Sequence, residues 1–91
     1  MICRHASLLR AIKNLGISVN VDSNGRFVAI MGDKVVSWCE QNGYAHNIHC
    51  TVLNDGWDPQ IDYFPGHFAR RMRTAIEHLK NGVHTHSKGD K

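Results

Sequence analysis

The chain has 91 residues, of which 42% are hydrophobic and 21% are charged, and its net charge is +3. A domain normally takes about 100 to 200 residues, so the length excludes a two-domain enzyme, and the composition excludes a wholly disordered chain. No apolar run reaches the roughly 18 residues that span a membrane. We therefore expect a single cytoplasmic domain over residues 1–82 and a disordered tail over residues 83–91.

The first predicted element is a helix. Its apolar residues recur at spacings of three and four, which is the period of an amphipathic helix: Leu8, Ala11, Ile12 and Leu15. Gly16 follows them, and glycine readily takes the left-handed conformation that ends many helices. The pattern predicts a helix over residues 4–15.

Three turns then predict a four-stranded antiparallel β-meander. They are Asn24-Gly25, Gly32-Asp33 and Asn42-Gly43, and each separates two segments of alternating apolar and polar residues. If each turn has two loop residues, four pairs of residues lie opposite each other: Val21 and Val28, Ile30 and Val35, Cys39 and His46, and Ser37 and Ile48.

Beyond the meander, an acidic and aromatic loop over residues 54–66 leads to a second predicted helix over residues 66–81. One apolar stripe marks this helix: Phe68, Met72, Ala75, Ile76 and Leu79. Asn81-Gly82 ends it. The chain therefore predicts an α+β fold with an N-terminal helix, the meander, the loop and a C-terminal helix, and with both helices on one face of the sheet.

Side chains alternate across a strand, so the proposed register predicts two unlike faces. The mostly aliphatic set is predicted to lie under the helices: Ile17, Val19, Val21, Val28, Ile30, Val35, Ser37, Cys39, Ile48, Cys50 and Val52. Four residues are then expected to be buried together: Ile12, Val19, Ile30 and Met72.

The opposite face contains Phe27, Trp38, Asn47 and His49. We predict that they form an open aromatic patch away from both helices, because exposed apolar surface usually marks an interface and tryptophan is common at binding hot spots. The loop adds further predicted partner-binding residues: Trp57, Asp58 and Tyr63. In this interpretation Trp38→Ala weakens association and leaves the melting temperature nearly unchanged. In the alternative, the loop packs on this face as a second small core.

No catalytic, metal or cofactor site is predicted. Cys39 and His46 are a cross-strand pair, but two ligands do not make a metal site, and Cys50 lies about 13 Å along the strand from His46. The three aspartates of the loop lack the spacing and closing glutamate of an EF-hand: Asp55, Asp58 and Asp62. The cysteines, odd in number, are expected to be reduced. We therefore expect a protein that is not an enzyme.

Arg70, Arg71 and Arg73 open the second helix, where they form either a solvated charged face or a phosphate-binding surface. The order of helix, antiparallel sheet and helix resembles the double-stranded-RNA-binding domain, whose second helix opens with a lysine-rich phosphate clamp. This chain lacks the lysine cluster, has four predicted strands instead of three, and places an acidic loop before the helix. The resemblance implies a nucleic-acid-binding module.

Residues 54–68, NDGWDPQIDYFPGHF, resemble segments of small accessory proteins of bacteriophages and mobile elements. That class includes anti-CRISPR inhibitors, so the resemblance implies a compact protein that binds and inhibits a host protein or ribonucleoprotein. The sequence thus predicts a binding protein, with three kinds of partner: a host complex, nucleic acid, or a second copy of the chain bound through the open sheet face.

Overall fold

The computed structural model describes residues 3–53 and 67–82. These residues form an α+β fold with two helices and an antiparallel sheet, as predicted. The elements in chain order are β1 (Cys3–Arg4), α1 (His5–Lys13), β2 (Val19–Val21), β3 (Phe27–Met31), β4 (Lys34–Gln41), β5 (Tyr44–Val52), β6 (His67–Ala69) and α2 (Met72–Asn81). The loop over 54–66 and the tail over 83–91 lie outside the described residues. Neither described helix is long and apolar enough to cross a membrane.

Two short edge strands extend the predicted meander. The hydrogen-bonded order is β1-β5-β4-β3-β2, and β6 also pairs with β5. β1 pairs with residues 44–45 and β6 with residues 48–50, so both lie along the outer edge of β5. Each edge strand leads into a helix. For this reason α2 begins at Met72 and not at residue 66, while α1 covers residues 5–13 of the predicted 4–15.

The second and third turns have the predicted register. Gly32-Asp33 sets Ile30 opposite Val35, and Asn42-Gly43 sets Cys39 opposite His46. The prediction that no helix lies within residues 26–50 is also confirmed.

The first turn was predicted wrongly, because Val21 lies opposite Phe27 instead of Val28. The Asp22 N–H donates to the Arg26 carbonyl at 2.9 Å, so the loop has three residues, 23–25, instead of two. The Asp22 carboxylate explains the longer loop. Its Oδ1 accepts hydrogen bonds from the backbone N–H groups of Asn24 (2.8 Å) and Arg26 (2.9 Å). Gly25 then adopts a φ of 81°, which a residue without Cβ takes at no steric cost. The result is a turn followed by a bulge, a common three-residue hairpin loop.

A second irregularity interrupts β5 at Asn47, whose φ is 53°. The register shifts between Ser37 and Cys39, so Ser37 lies opposite His49 and not opposite Ile48 as predicted. Asparagine tolerates this left-handed conformation better than most residues with a side chain. The shift places Ile48 in the core under the helices, although Ser37 faces away from them.

The helices cover the face that was predicted to be open. Leu8 and Ile12 of α1 and Ala75 and Leu79 of α2 share one buried cluster with residues of the sheet: Ala29, Val36, Trp38, Ile48 and Cys50. Trp38 has no exposed surface. The prediction of an open aromatic patch is therefore wrong, because its largest side chain fills the space between the sheet and both helices.

On β3 and β4 the predicted core residues lie on the face away from the helices, whereas four others of the predicted set lie in or against the main core: Ile17, Val19, Ile48 and Cys50. Val28 and Val35 are buried on the face away from the helices, in a small second cluster with Leu53. Ile30 is 37% exposed and Met72 is 36% exposed, so the prediction that both are buried with Ile12 is wrong. Ile12 is buried and Val19 packs against the main core, as expected. Strands β3 and β4 carry apolar side chains on both faces, and alternation alone does not show which face the helices cover.

Candidate nucleic-acid interface

Both helices begin at the same edge of the sheet, and an arginine precedes the first residue of each. Arg4 is the N-cap residue of α1 and Arg71 is that of α2, each in extended backbone conformation. Neither cap makes a side-chain hydrogen bond to its helix, and neither first turn contains an acidic residue. Helices normally start with a Ser, Thr, Asp or Asn that accepts these hydrogen bonds. The His5 N–H of α1 donates to the Gly43 carbonyl at 3.0 Å. The other N–H groups of the two first turns leave partial positive charge at this edge.

Four arginines, which we call the basic edge, lie at these two helix starts: Arg4, Arg70, Arg71 and Arg73. All four are exposed. The ion pair found within residues 3–53 and 67–82 joins Lys34 to Asp33 at 3.1 Å and involves none of these arginines. The Arg4 guanidinium lies 5.7 Å from the centre of the Tyr44 ring, a cation–π contact that leaves its charge in place. No described carboxylate neutralises the basic edge.

The acidic side chains of the described residues are engaged at other places. Asp22 is buried in the turn before β3, and Asp33 pairs with Lys34. Glu40 accepts a hydrogen bond from the backbone N–H of Gly43 at 2.8 Å. Glu77 accepts one from Asn81. The described ranges contain nine Lys or Arg and only these four acidic residues, so this part of the chain carries a net positive charge.

A cavity at the basic edge, which we call the notch, lies beside residues 46–47 of β5. Cys3 lies opposite Ala45 and Ala69 lies opposite Ile48, so the described ends of β1 and β6 are roughly 10 Å apart along β5. In the described part of the chain, residues 46–47 have no strand partner on this edge. The notch has a volume of about 210 Å³ and is lined by residues 45–48, Cys3 and residues 69–70.

Arg26 supports the notch from the face away from the helices. Its Nη2 donates a 2.6 Å hydrogen bond to the backbone carbonyl of Asn47, in the β5 bulge. Nε and Nη2 also donate to the Ser37 hydroxyl at 3.3 and 3.0 Å. One guanidinium thus joins the start of β3 to β4 and β5. This contact ties the bulge to the rest of the sheet.

The cysteine environments do not favour thiolate chemistry. Burial raises the pKa of the Cys3 thiol, which lines the notch, and raises the pKa of Cys50 to about 12. Both thiols are therefore protonated at neutral pH, and a protonated thiol is a poor nucleophile. Cys39 and His46 lie opposite each other as predicted, but Arg26 Nη1 is 3.1 Å from Cys39 Sγ. A fixed positive charge there opposes a metal cation, and no group of three metal-binding side chains occurs in residues 3–53 and 67–82.

The predicted partner-binding residues do not form one surface. Phe27 is half-buried and stacks on Trp38 with ring centres 5.7 Å apart. Trp38 is in the core, His49 is 7% exposed, and Asn47 is exposed on the outer strand β5. The remaining predicted residues lie outside the described part of the chain: Trp57, Asp58 and Tyr63. By contrast, the predicted phosphate-binding residues are together and exposed: Arg70, Arg71 and Arg73.

Sequence reasoning missed three members of the site: Arg4, Arg26 and His46. One signal for Arg4 was present, because the predicted first helix starts at Arg4 and has no acidic residue in its first turn. That departure from normal helix starts can be recognised in the sequence alone. Arg26 and His46 gave no such signal, because their roles depend on the bulge in β5.

No protein-family model, curated protein or solved structure matches the chain. What the basic edge binds therefore has to follow from its own chemistry. Exposed guanidinium groups and free helix N–H groups, with no described carboxylate among them, are complementary to an anion that carries several charges.

Proposed function

We propose that this protein is a non-enzymatic binding protein that holds nucleic acid by its phosphates. The observation that carries the proposal is the basic edge, in which four exposed arginines without a described acidic partner stand at two uncapped helix N-termini. Arginine forms bidentate hydrogen bonds with phosphate oxygens, and helix N-termini attract phosphate through their free N–H groups.

The cost of this arrangement to the fold supports a role in binding. A positive side chain near a helix N-terminus is unfavourable by about 0.3 to 1 kcal/mol, and an absent cap costs about 1 kcal/mol more. Both helices have an arginine at the N-cap and no side-chain cap, at the same edge of the sheet, and only in α1 does a described backbone carbonyl, that of Gly43, accept the first N–H. Departures from local folding rules are expected at functional sites. A phosphate backbone would offset both costs because it supplies negative charge and hydrogen-bond acceptors.

A host ribonucleoprotein is the second candidate partner, and it follows from the resemblance of residues 54–68 to phage and mobile-element accessory proteins. Such a complex offers phosphates, so the basic edge would serve there too. The predicted aromatic patch adds no support, because Trp38 lies in the core. Self-association through an open sheet face loses its support for the same reason.

The basic edge can be tested with Arg70, Arg71 and Arg73 all replaced by alanine. We expect the variant to bind a labelled 20-base-pair duplex less tightly, with a weaker salt dependence. Each phosphate contact contributes about 0.9 to the slope of log affinity against log salt. The loss of three contacts therefore reduces the slope by about 2 to 3. Fluorescence anisotropy between about 50 and 200 mM salt measures the change.

A matched control removes the same charge elsewhere, with Arg10, Lys13 and Lys80 replaced by alanine. All three are exposed and lie in the last turns of the two helices, at the ends away from the basic edge. We expect this variant to keep most of the wild-type slope. Equal loss in both triple variants would mean that binding follows net charge alone, and the proposal would fail.

Arg71 offers a test in which stability and binding move in opposite directions. Arg71→Ser places a good N-cap residue on backbone that is already extended (φ −129°, ψ 150°). We expect the free energy of unfolding to rise by about 0.5 to 1 kcal/mol, while duplex affinity falls. Arg73→Ser is the control, because it removes the same charge inside the helix and gains no cap. Urea denaturation and anisotropy measure the two effects. A loss of stability in Arg71→Ser would contradict this account of the helix start.

A further inference from the structure

We infer that the protein binds nucleic acid as a single strand, and that Tyr44 with Arg4 is the platform on which an unpaired base stacks. The inference rests on the proposed function and adds to it the class of nucleic acid. The basic edge alone does not distinguish a duplex from a single strand, because both carry phosphates.

Tyr44 lies on the face of the sheet away from the helices, because its neighbour Ala45 lies in the main core and side chains alternate along a strand. It is opposite Arg4 on β1 and opposite Gln41 on β4, so three strands place these side chains in one row. Arg4 and Gln41 are exposed, and Tyr44 is half-buried. The ring therefore has described neighbours on both sides and lies at the end of the sheet next to the Asn42-Gly43 turn.

The groups around the Tyr44 ring suit a nucleobase. The Arg4 guanidinium lies 5.7 Å from the ring centre, and unpaired bases stack on both tyrosine rings and guanidinium planes. The side-chain amide of Gln41 has a donor and an acceptor for the edge of a base. His46 is exposed two residues further along β5, roughly 7 Å away, and its imidazole is a second ring of a kind that stacks on bases.

This end of the face also suits a polyanion. The side chains that share it carry no carboxylate: Arg4, Gln41, Tyr44, Arg26, Cys39 and His46. At the other end of the same face, the polar side chains of β4 and β5 are buried: Ser37, His49 and Thr51. On these two strands, the exposed polar groups of the face therefore lie near Tyr44.

Arg4 belongs to both the platform and the basic edge. It lies opposite Tyr44, while Ala69, which precedes Arg70, lies opposite Ile48. The basic edge thus starts beside the ring and extends roughly 14 Å along β5. A single strand can place its phosphates on these arginines and turn one base to the ring. A duplex offers its phosphates only, because its bases are stacked and paired and cost energy to expose.

The test compares three labelled ligands of equal length by fluorescence anisotropy: a single strand, the duplex of the same sequence, and a single strand whose central nucleotides are abasic. Abasic nucleotides keep the phosphate charge and lack the base. We expect the wild-type protein to bind the intact strand about tenfold more tightly than the abasic strand, which is within the range for one stacked base. It should also bind the intact strand more tightly than the duplex.

Variants of Tyr44 test whether the ring is responsible. Tyr44→Leu should reduce the difference between intact and abasic strands to about twofold or less, and Tyr44→Phe should keep it because phenylalanine keeps the ring. Arg73→Ala removes charge from the basic edge and should weaken both strands by the same factor. If Tyr44→Leu does not fold, the wild-type comparison still decides, since equal affinity for intact and abasic strands would overturn the inference.

A second measurement separates failure of this inference from failure of the proposed function. Amide chemical shifts are followed while adenosine 5′-monophosphate is added, with ribose 5-phosphate as the control that lacks the base. Changes at residues 41 and 44 with the nucleotide alone, without binding of any oligonucleotide, would retain the platform and reject the proposed function. Equal binding of all three oligonucleotides without these changes would overturn the inference and leave the proposed function standing.

Discussion

Trp38→Ala is expected to lower the free energy of unfolding by about 3 to 5 kcal/mol, the range for truncation of a large buried aromatic side chain. Trp38 has no exposed surface and lies in the cluster that joins the sheet to both helices. Its Nε1–H donates a 2.9 Å hydrogen bond to Nδ1 of His5, the first residue of α1. The substitution therefore leaves a cavity and also removes the link between β4 and the start of α1.

Urea denaturation followed by circular dichroism measures this loss, and Trp38→Phe separates its two causes. Phenylalanine keeps most of the ring against Phe27 but has no N–H for His5, so a smaller loss of about 1 to 2 kcal/mol is expected. If Trp38→Ala does not fold, the phenylalanine variant still tests the hydrogen bond. A loss below about 1 kcal/mol in Trp38→Ala would contradict a core role.

This expectation reverses the one drawn from the sequence, in which Trp38→Ala spares stability. The two turns that follow β3 and β4 were predicted correctly. Turn residues and strand alternation act over a few positions, so they can be recognised in the chain. Which face the helices cover is a long-range property. On β4, Val35 and Val36 point to opposite faces and both are fully buried, so hydrophobicity alone was ambiguous.

The volume of the side chains would have been the better guide to the covered face. Trp38 and Phe27 lie on one face, while Ser37 and Cys39 lie on the other, and the larger side chains fill the layer between sheet and helices. The β5 bulge had no comparable signal. Asparagine at position 47 permits the left-handed conformation, but many asparagines do so without forming a bulge.

The candidate site was predictable only in part, because it too depends on contacts between distant segments of the chain. Arg70, Arg71 and Arg73 are neighbours in the chain, so the sequence showed their common charge. Arg4 joins them because β1 and β6 pair with the same edge of β5, and His46 joins Arg70 in the notch. Strands of two and three residues carry too few side chains for a recognisable alternation. The parts of the site that depend on them could be found only in the folded chain.

Arg26→Met is expected to lower the free energy of unfolding by about 2 to 4 kcal/mol. The Ser37 hydroxyl, which has no exposed surface, would lose two hydrogen bonds from the guanidinium. A hydrogen bond to a charged group contributes about 1.5 to 3 kcal/mol, and a buried group left without a partner costs about 1 to 3 kcal/mol. Methionine keeps much of the apolar stem, so the measured loss reports on the guanidinium.

Arg10→Met provides the control, since it removes the same charge from an exposed position on α1, and we expect it to change stability by less than about 0.5 kcal/mol. The Asn47 carbonyl also loses the 2.6 Å bond from Arg26 that anchors the bulge in β5. Urea denaturation measures the stability of both variants. If Arg26→Met lowers stability no more than Arg10→Met does, the guanidinium does not hold the bulge to the sheet.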